Sequence, residues 1–420
     1  MHRIYHPIKW VVWALAALFY FYEFLIRVAP TVMVSELMSA FGVTATAIGT
    51  LSAFYFFTYG PLQLPVGILT DRYGARKLLA LASLIAGLGS LLFAIAQEYW
   101  VAALGRCFMG IGSAFAFVCM IYISSHWFKE SKRGILIGLA NGAGMIGAIM
   151  GEGPLRLVMH SYGWRLSLFG LGLFGVFLAL FIYLLVRNGP QKILEKEVKN
   201  KKRPIPIRKK LSAVCHCHQN WLVAMVSLFS YVATPGFAGL WGIPFIHNLY
   251  NISIELSGFA VSMIFVGWAI GGPLFGQISD RLKTKKPILI FSGVICAFLI
   301  AWIIYIPNLP LPLLFTLLFL LGLVSGAQLL TYGYAIDVSP DFAKATSTAF
   351  TNFVAIMGSA VMQMLIGILL DLQWTGNMAQ GVRVYSDSAY ILAMTCFPIC
   401  FLISAFLSLF LQKKTKKPRS

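Results

Sequence analysis

Three ionisable side chains, Glu23, Arg27 and Arg106, stand inside stretches that are otherwise apolar. A charge in hydrocarbon costs about 2.5–3.5 kcal/mol on insertion scales, so each needs a task or a partner. Glu23 and Arg27 are four residues apart and share one helical face, where Tyr20 and Thr31 complete a polar stripe. A guanidinium grips a carboxylate through two parallel N–H bonds. Arg27 and Arg106 facing one cavity would therefore hold a carboxylate-bearing small molecule. Glu23 is the candidate proton-coupling group; it would equally suit a substrate ammonium. The alternative is neutralisation in place, through ion pairs Glu23–Arg27 and Glu152–Arg106.

The elements that carry these groups follow from composition. The 420 residues are 59% hydrophobic and 11% charged, whereas a soluble domain has about 25% charged residues. The lipid bilayer must be the solvent. A span needs roughly 20 apolar residues, and twelve such stretches occur, at 10–34, 47–69, 77–96, 100–127, 134–154, 164–186, 221–246, 257–279, 287–306, 312–336, 346–370 and 389–411. They read as helices, since barrel strands would alternate every second residue. The first is too long for a signal peptide and holds Glu23 and Arg27, so it reads as a retained span. At about 1.5 Å per residue, Arg27, Arg106 and Glu152 lie within about 10 Å of one membrane surface.

The net charge of +19 is sorted by topology and does not indicate nucleic acid. With the N-terminus in the cytoplasm, 28 of the 33 Lys and Arg fall in cytoplasmic segments; Arg156, Arg165 and Arg383 alone fall outside. That is the positive-inside pattern, and an even number of spans puts both termini in the cytoplasm. The longest gap between spans, 188–218, is a basic linker between two six-helix halves, 1–187 and 219–420. Its Cys215-His216-Cys217-His218 run lacks zinc-site spacing.

The halves share a motif. Gly67, Asp71, Arg72, Gly74, Arg76 and Lys77 follow span 2; Gly276, Asp280, Arg281, Lys283, Lys285 and Lys286 follow span 8, each 209 residues later. An acid at a helix end beside basic residues can make charge-assisted bonds between halves in one conformation and release them in another.

This pattern resembles the loop 2–3 signature of the major facilitator superfamily, and the resemblance covers length, spans, linker and both motif copies. It implies an all-α membrane protein of twelve transmembrane helices in two six-helix bundles that rock about a central cavity lined by spans 1, 4, 7 and 10. Gly138/Gly142 and Gly147/Gly151 in span 5, with Gly267/Gly271 and Gly272/Gly276 in span 8, fit close packing of interface helices. Arg27, Arg106 and Gly110 also resemble the organic-anion/proton symporter branch, in which the two arginines hold the substrate anion. Ile26 and Ser113 stand where that branch carries acids, which leaves Glu23 as the available acid. In the second half the expected lining is Tyr231 and Trp241 on span 7, Gln328 and Tyr332 on span 10, and Asn352 and Gln363 on span 11, with Ser113 facing them from span 4. Pro235-Gly236 and Gly242-x-Pro244 should break span 7.

The expectation is a transporter, not an enzyme, for an organic acid, amino acid or short peptide. It needs no cofactor or metal and binds no nucleic acid. Its partners are the lipid bilayer, the solute and protons, and it acts as a monomer in a bacterial inner membrane. A facilitator, a carrier of lipids or phosphate compounds, and a drug or metabolite exporter are the alternatives. No filter-like ring indicates a channel.

Overall fold

The computed structural model describes residues 5–189, 206–379 and 381–412. Among these, eleven helical stretches are long and apolar enough to cross a membrane, and a bent pair, Val34–Phe41 with Ala45–Leu62, raises the number to twelve. The span order matches the sequence reading. Most of the expected linker, 190–205, lies outside the described residues; its remainder includes a helix, Ile207–Cys215, and span 7 starts at His218.

Several spans are broken, among them spans 1, 2, 7 and 10, and in these the breaks sit where the backbone dictates. Span 1 is α-helical over Tyr5–Val28 and then tightens into a 3-10 turn, Ala29–Val32. Pro30 has no N–H, so the α-helical bond to the Ile26 carbonyl cannot form. Span 2 turns after Leu62, before Pro65, and resumes as Val66–Tyr73. Span 7 opens into a π-helix over Thr234–Trp241, around Pro235, in line with the break expected there. Span 10 carries a 3-10 turn, Gly326–Leu329. Wide and tight turns of this kind free backbone groups, which is tolerated at membrane depth where protein covers them.

The repeated motif has a geometric basis. Gly74 ends Val66–Tyr73 with φ +78°, and its counterpart Lys283 ends Ile254–Leu282 with φ +53°. Both positions demand the left-handed region, which glycine enters freely and lysine at a cost. The basic residues then bind within their own half. Arg76 Nε donates to the Tyr183 carbonyl (2.9 Å), Lys285 Nζ to Asp337 (2.5 Å) and Lys286 Nζ to the Leu409 carbonyl (2.6 Å).

The two ends of the molecule differ. At the end away from the motif the halves are locked. Spans 2 and 11 touch through glycine: a Cβ on Gly49 would stand 2.4 Å from the Gln363 carbonyl oxygen, and one on Gly367 2.5 Å from that of Ala45. Thr46 N–H donates to Asp371 (2.8 Å), Ala45 N–H to the Tyr385 hydroxyl (3.1 Å) and the Thr31 hydroxyl to the Leu240 carbonyl (3.0 Å). Arg156 joins Glu36, Glu255 (3.3 Å) and the Val32 carbonyl (3.0 Å). At the motif end, by contrast, a Cβ on Gly67 or Gly276 would meet no described atom within 4 Å. The expected glycine packing is also redirected. Gly147 and Gly151 pack on span 1, and Gly267 and Gly271 on span 10, within their own halves; Gly138 and Gly142 touch no described neighbour.

Candidate functional site

In the last turn of the helix Tyr5–Val28, Arg27 is the centre of a polar knot inside an aromatic cage. It forms an ion pair with Glu23. Its Nε donates to the Tyr55 hydroxyl (3.3 Å), which in turn donates to Glu23 Oε1 (3.2 Å). The guanidinium lies over the rings of Phe24 (4.3 Å), Tyr59 (4.9 Å) and Tyr55 (5.6 Å). Tyr55 and Tyr59 are themselves stacked, with ring centres 5.8 Å apart. The i,i+4 relation puts Glu23 and Arg27 together as the sequence requires. Glu23 is fully buried, and its second oxygen has no partner among the described residues.

Arg27 also faces outward from this knot. It lines a small cavity of about 30 Å³, with Phe24, Val28, Phe56 and Met145 from the first half and Tyr231, Thr234, Pro235, Gly239, Phe265 and Trp268 from the second. That volume holds roughly one water. Arg27, Tyr231 and Thr234 supply its polar groups, and the rest of the wall is apolar or aromatic.

Arg106 sits beside Arg27 but faces the backbone. Its Nη1 donates to the Ile26 carbonyl (2.9 Å) and its Nη2 to the Arg27 carbonyl (3.3 Å), with the Tyr55 ring 4.8 Å away. The Ile26 carbonyl is the one that Pro30 leaves without its α-helical donor. A cation at a helix C-terminus is favourable both as a donor and for the helix dipole. The pair Glu152–Arg106, one of the two neutralising pairs weighed above, does not form. Both Glu152 oxygens are buried with no partner among the described residues.

The remaining predicted residues are spread along the two halves. Tyr20 packs its ring on Phe24 (5.1 Å) and Phe117 (5.4 Å). Ser113 ends the first piece of span 4, and its hydroxyl has no partner among the described residues. Trp241 donates to the Gln363 carbonyl (2.9 Å), and Gln363 donates to the Pro235 carbonyl (2.8 Å). Gln328 donates to Ser227 (2.8 Å). Tyr332 donates to Asn352 (2.9 Å), and Asn352 reaches across to Gln63 of the first half (3.3 Å). Thus Tyr231 joins Arg27 at the cavity, whereas Trp241, Gln328 and Tyr332 are engaged in bonds between spans. Sequence reasoning missed Tyr55 and Tyr59, although their i,i+4 spacing in an apolar span was a readable signal. Trp268 and Gln63 carried no such signal.

The sequence profile of the Major Facilitator Superfamily matches residues 12–363. The chain is similar to a probable L-galactonate transporter of Escherichia coli (strain K12), at 29% identity over 61% of this chain and 60% of that protein. It is also similar to the membrane sensor protein UhpC of Salmonella typhimurium (strain LT2), at 25% identity over 92% of this chain and 89% of that one. Among solved structures, a bacterial homologue of the human lysosomal transporter Spinster, inward-facing and occupied, superposes with a TM-score of 0.79 at 16% identity. That match covers 96% of this chain and 97% of the other.

Proposed function

The chain belongs to the Major Facilitator Superfamily, and on that premise we propose that it carries a small carboxylate-bearing metabolite by proton-coupled alternating access. Its family is one of transporters rather than enzymes, and its relatives include a probable L-galactonate transporter. The halves 1–187 and 219–420 act as two bundles, with both termini in the cytoplasm of a bacterial cell and the spans in its inner membrane. In that orientation the motif end is cytoplasmic, and the conformation described above is inward-facing.

The observation that carries the reading is Arg27: a charged guanidinium, caged by aromatic rings, lining a cavity to which both halves contribute. A substrate carboxylate competes with Glu23 for this guanidinium. The displaced Glu23, buried and without its cation, takes a proton, and that exchange couples proton and substrate. Arg106 acts through span 1, holding the carbonyls behind Arg27. Support from the relatives is chemical: galactonate is a sugar acid with one carboxylate. Asp71 and Asp280, with Arg72 and Arg281, serve the cytoplasmic gate.

The test is ligand-induced thermal stabilisation of purified protein by sugar acids, amino acids, dipeptides and dicarboxylates, with sugar phosphates as controls. A true ligand stabilises by RT ln(1 + [L]/Kd). Arg27→Lys should weaken binding ten-fold or more, because an ammonium cannot make two parallel bonds. Glu23→Gln should retain binding and lose accumulation driven by a pH gradient. Unchanged affinity in a folded Arg27→Lys variant, or stabilisation by phosphates alone, would remove the carboxylate reading.

A further inference from the structure

Glu152 has no place in the site described above, yet among the described residues it is the one buried carboxyl with neither oxygen partnered. It lies between the helices Glu130–Met150 and Gly153–Tyr162, with no solvent exposure. Neither carboxyl oxygen has a hydrogen-bond partner among the described residues. Its surroundings are closed by contacts from both halves. Gly151 packs on Leu25 and Val28 of span 1. Gly153 packs on Phe259 of span 8, and a Cβ on Gly258 would lie 3.4 Å from the Glu152 carbonyl carbon.

The charged groups on the elements packed here are engaged elsewhere. On span 1, Glu23 and Arg27 bind one another. On the helix that follows Glu152, Arg156 is taken up by Glu36, by Glu255 at the start of span 8, and by the Val32 carbonyl. Arg106 of span 4 is held by the carbonyls of Ile26 and Arg27. Arg165 of span 6 binds the carbonyls of Ala94 and Ala96. Glu130, Lys132 and Arg133 stand at the other end of span 5, and Asp280 and Arg281 at the other end of span 8. His160, two turns beyond Glu152 on the same short helix, is solvent-exposed.

An isolated carboxylate in such a place is prohibitively costly unless it is protonated or reached by water. Its cover is the seam between the first and second halves at the end away from the motif. Parting span 5 from span 8 would admit water to Glu152 and let it ionise. We propose that Glu152 is a proton-binding latch: closure of this end requires it protonated, and its ionisation holds this end open. The proton enters from, and returns to, the solution on that side. Glu152 therefore sets the balance between the two conformations and moves no net charge, a role separate from that of Glu23.

The sign of the effect separates this latch from the ion pairs nearby. Protonating Glu255 or Asp371 weakens bonds between halves, to Arg156 and to Thr46, so acid acting on them opens this end. Acid acting on Glu152 closes it. One proton bound only in the closed form changes the closed-to-open ratio by about ten-fold per pH unit above the titration of the open form.

The experiment is a distance measurement by electron spin resonance without substrate, so it does not depend on the identity of the carried solute. Spin labels are placed at Ser161 and Thr375, both exposed at this end on opposite halves, in a variant in which the native cysteines are replaced. In the otherwise wild-type protein, raising the pH should shift the distribution towards longer distances. Glu152→Gln, which cannot ionise, should hold the short distance across the same range. A pH-independent distribution in the wild type, or the same pH shift in folded Glu152→Gln as in the wild type, overturns the latch. If Glu152→Gln does not fold, infrared spectroscopy of the wild type decides. A protonated, unbonded carboxyl band that rises and falls with the short-distance population supports the latch, and its absence from the closed form refutes it.

Discussion

Replacing Arg106 by lysine separates its two possible tasks. In the structure its guanidinium spans two carbonyls, Ile26 (2.9 Å) and Arg27 (3.3 Å), and lies 4.8 Å from the Tyr55 ring. A lysine ammonium on a shorter, unforked head reaches one carbonyl well and leaves the other bare. A hydrogen bond to a charged group contributes about 1.5–3 kcal/mol, and the ring contact about 0.5–1 kcal/mol. Arg106→Lys should therefore destabilise the protein by roughly 2–4 kcal/mol, seen as a melting temperature lowered by several degrees. Pro30→Ala restores an amide that can bond the Ile26 carbonyl, so the penalty of Arg106→Lys should be smaller in that background. The assay is melting temperature and ligand affinity for both single variants and the double variant. An Arg106→Lys variant with wild-type melting temperature and ten-fold weaker binding would refute this reasoning and make Arg106 a direct substrate ligand.

Two other outcomes follow from the asymmetry between the ends. Gly49→Val places a branched side chain where even a Cβ would lie 2.4 Å from the Gln363 carbonyl oxygen; it should favour separation at this end, read as greater labelling there by an impermeant thiol reagent of a cysteine placed at Thr46, with the native cysteines replaced. Asp71→Asn should slow transport while leaving substrate affinity within a few-fold, since Asp71 stands on the motif turn away from Arg27; a large loss of binding in folded protein would show its role misplaced.

The spans were legible because hydrophobic length and the bilayer set a single scale. So was the Glu23–Arg27 pair, because i,i+4 spacing on a helix fixes proximity without tertiary knowledge. The break in span 7 was announced by Pro235-Gly236. Pro30 carried the same signal in span 1, but its consequence depends on which side chain the fold brings to the freed carbonyl, and that is set by span 4 packing against span 1. For the same reason sequence placed Arg106 and Glu152 at similar depth and left their pairing open. Depth along a helix axis is readable from residue count, whereas the rotation of one helix against another depends on packing over its whole length. The glycine pairs show this limit too. Their spacing marks a face for close approach and leaves the partner unspecified: Gly147 and Gly151 met span 1, and Gly267 and Gly271 met span 10.

The two ends distribute their interactions in a way that keeps exchange between conformations possible. The closed end is held by backbone and side-chain bonds near the surface, among them Asp371 with Thr46 and Arg156 with Glu36 and Glu255. Partly exposed ion pairs of this kind contribute about 0–1 kcal/mol each, so together they can be exchanged for a comparable set elsewhere. At the motif end Asp71 and Asp280 are exposed at helix ends beside Arg72 and Arg281, and a Cβ on Gly67 or Gly276 would meet no described atom within 4 Å. Arg27 and its aromatic cage belong to the first half alone, and the cavity wall opposite, with Tyr231 and Thr234, belongs to the second. On the function proposed above, a solute held by Arg27 would gain its remaining contacts from the second half. The solute itself would then favour closure, by as much as those second-half contacts contribute.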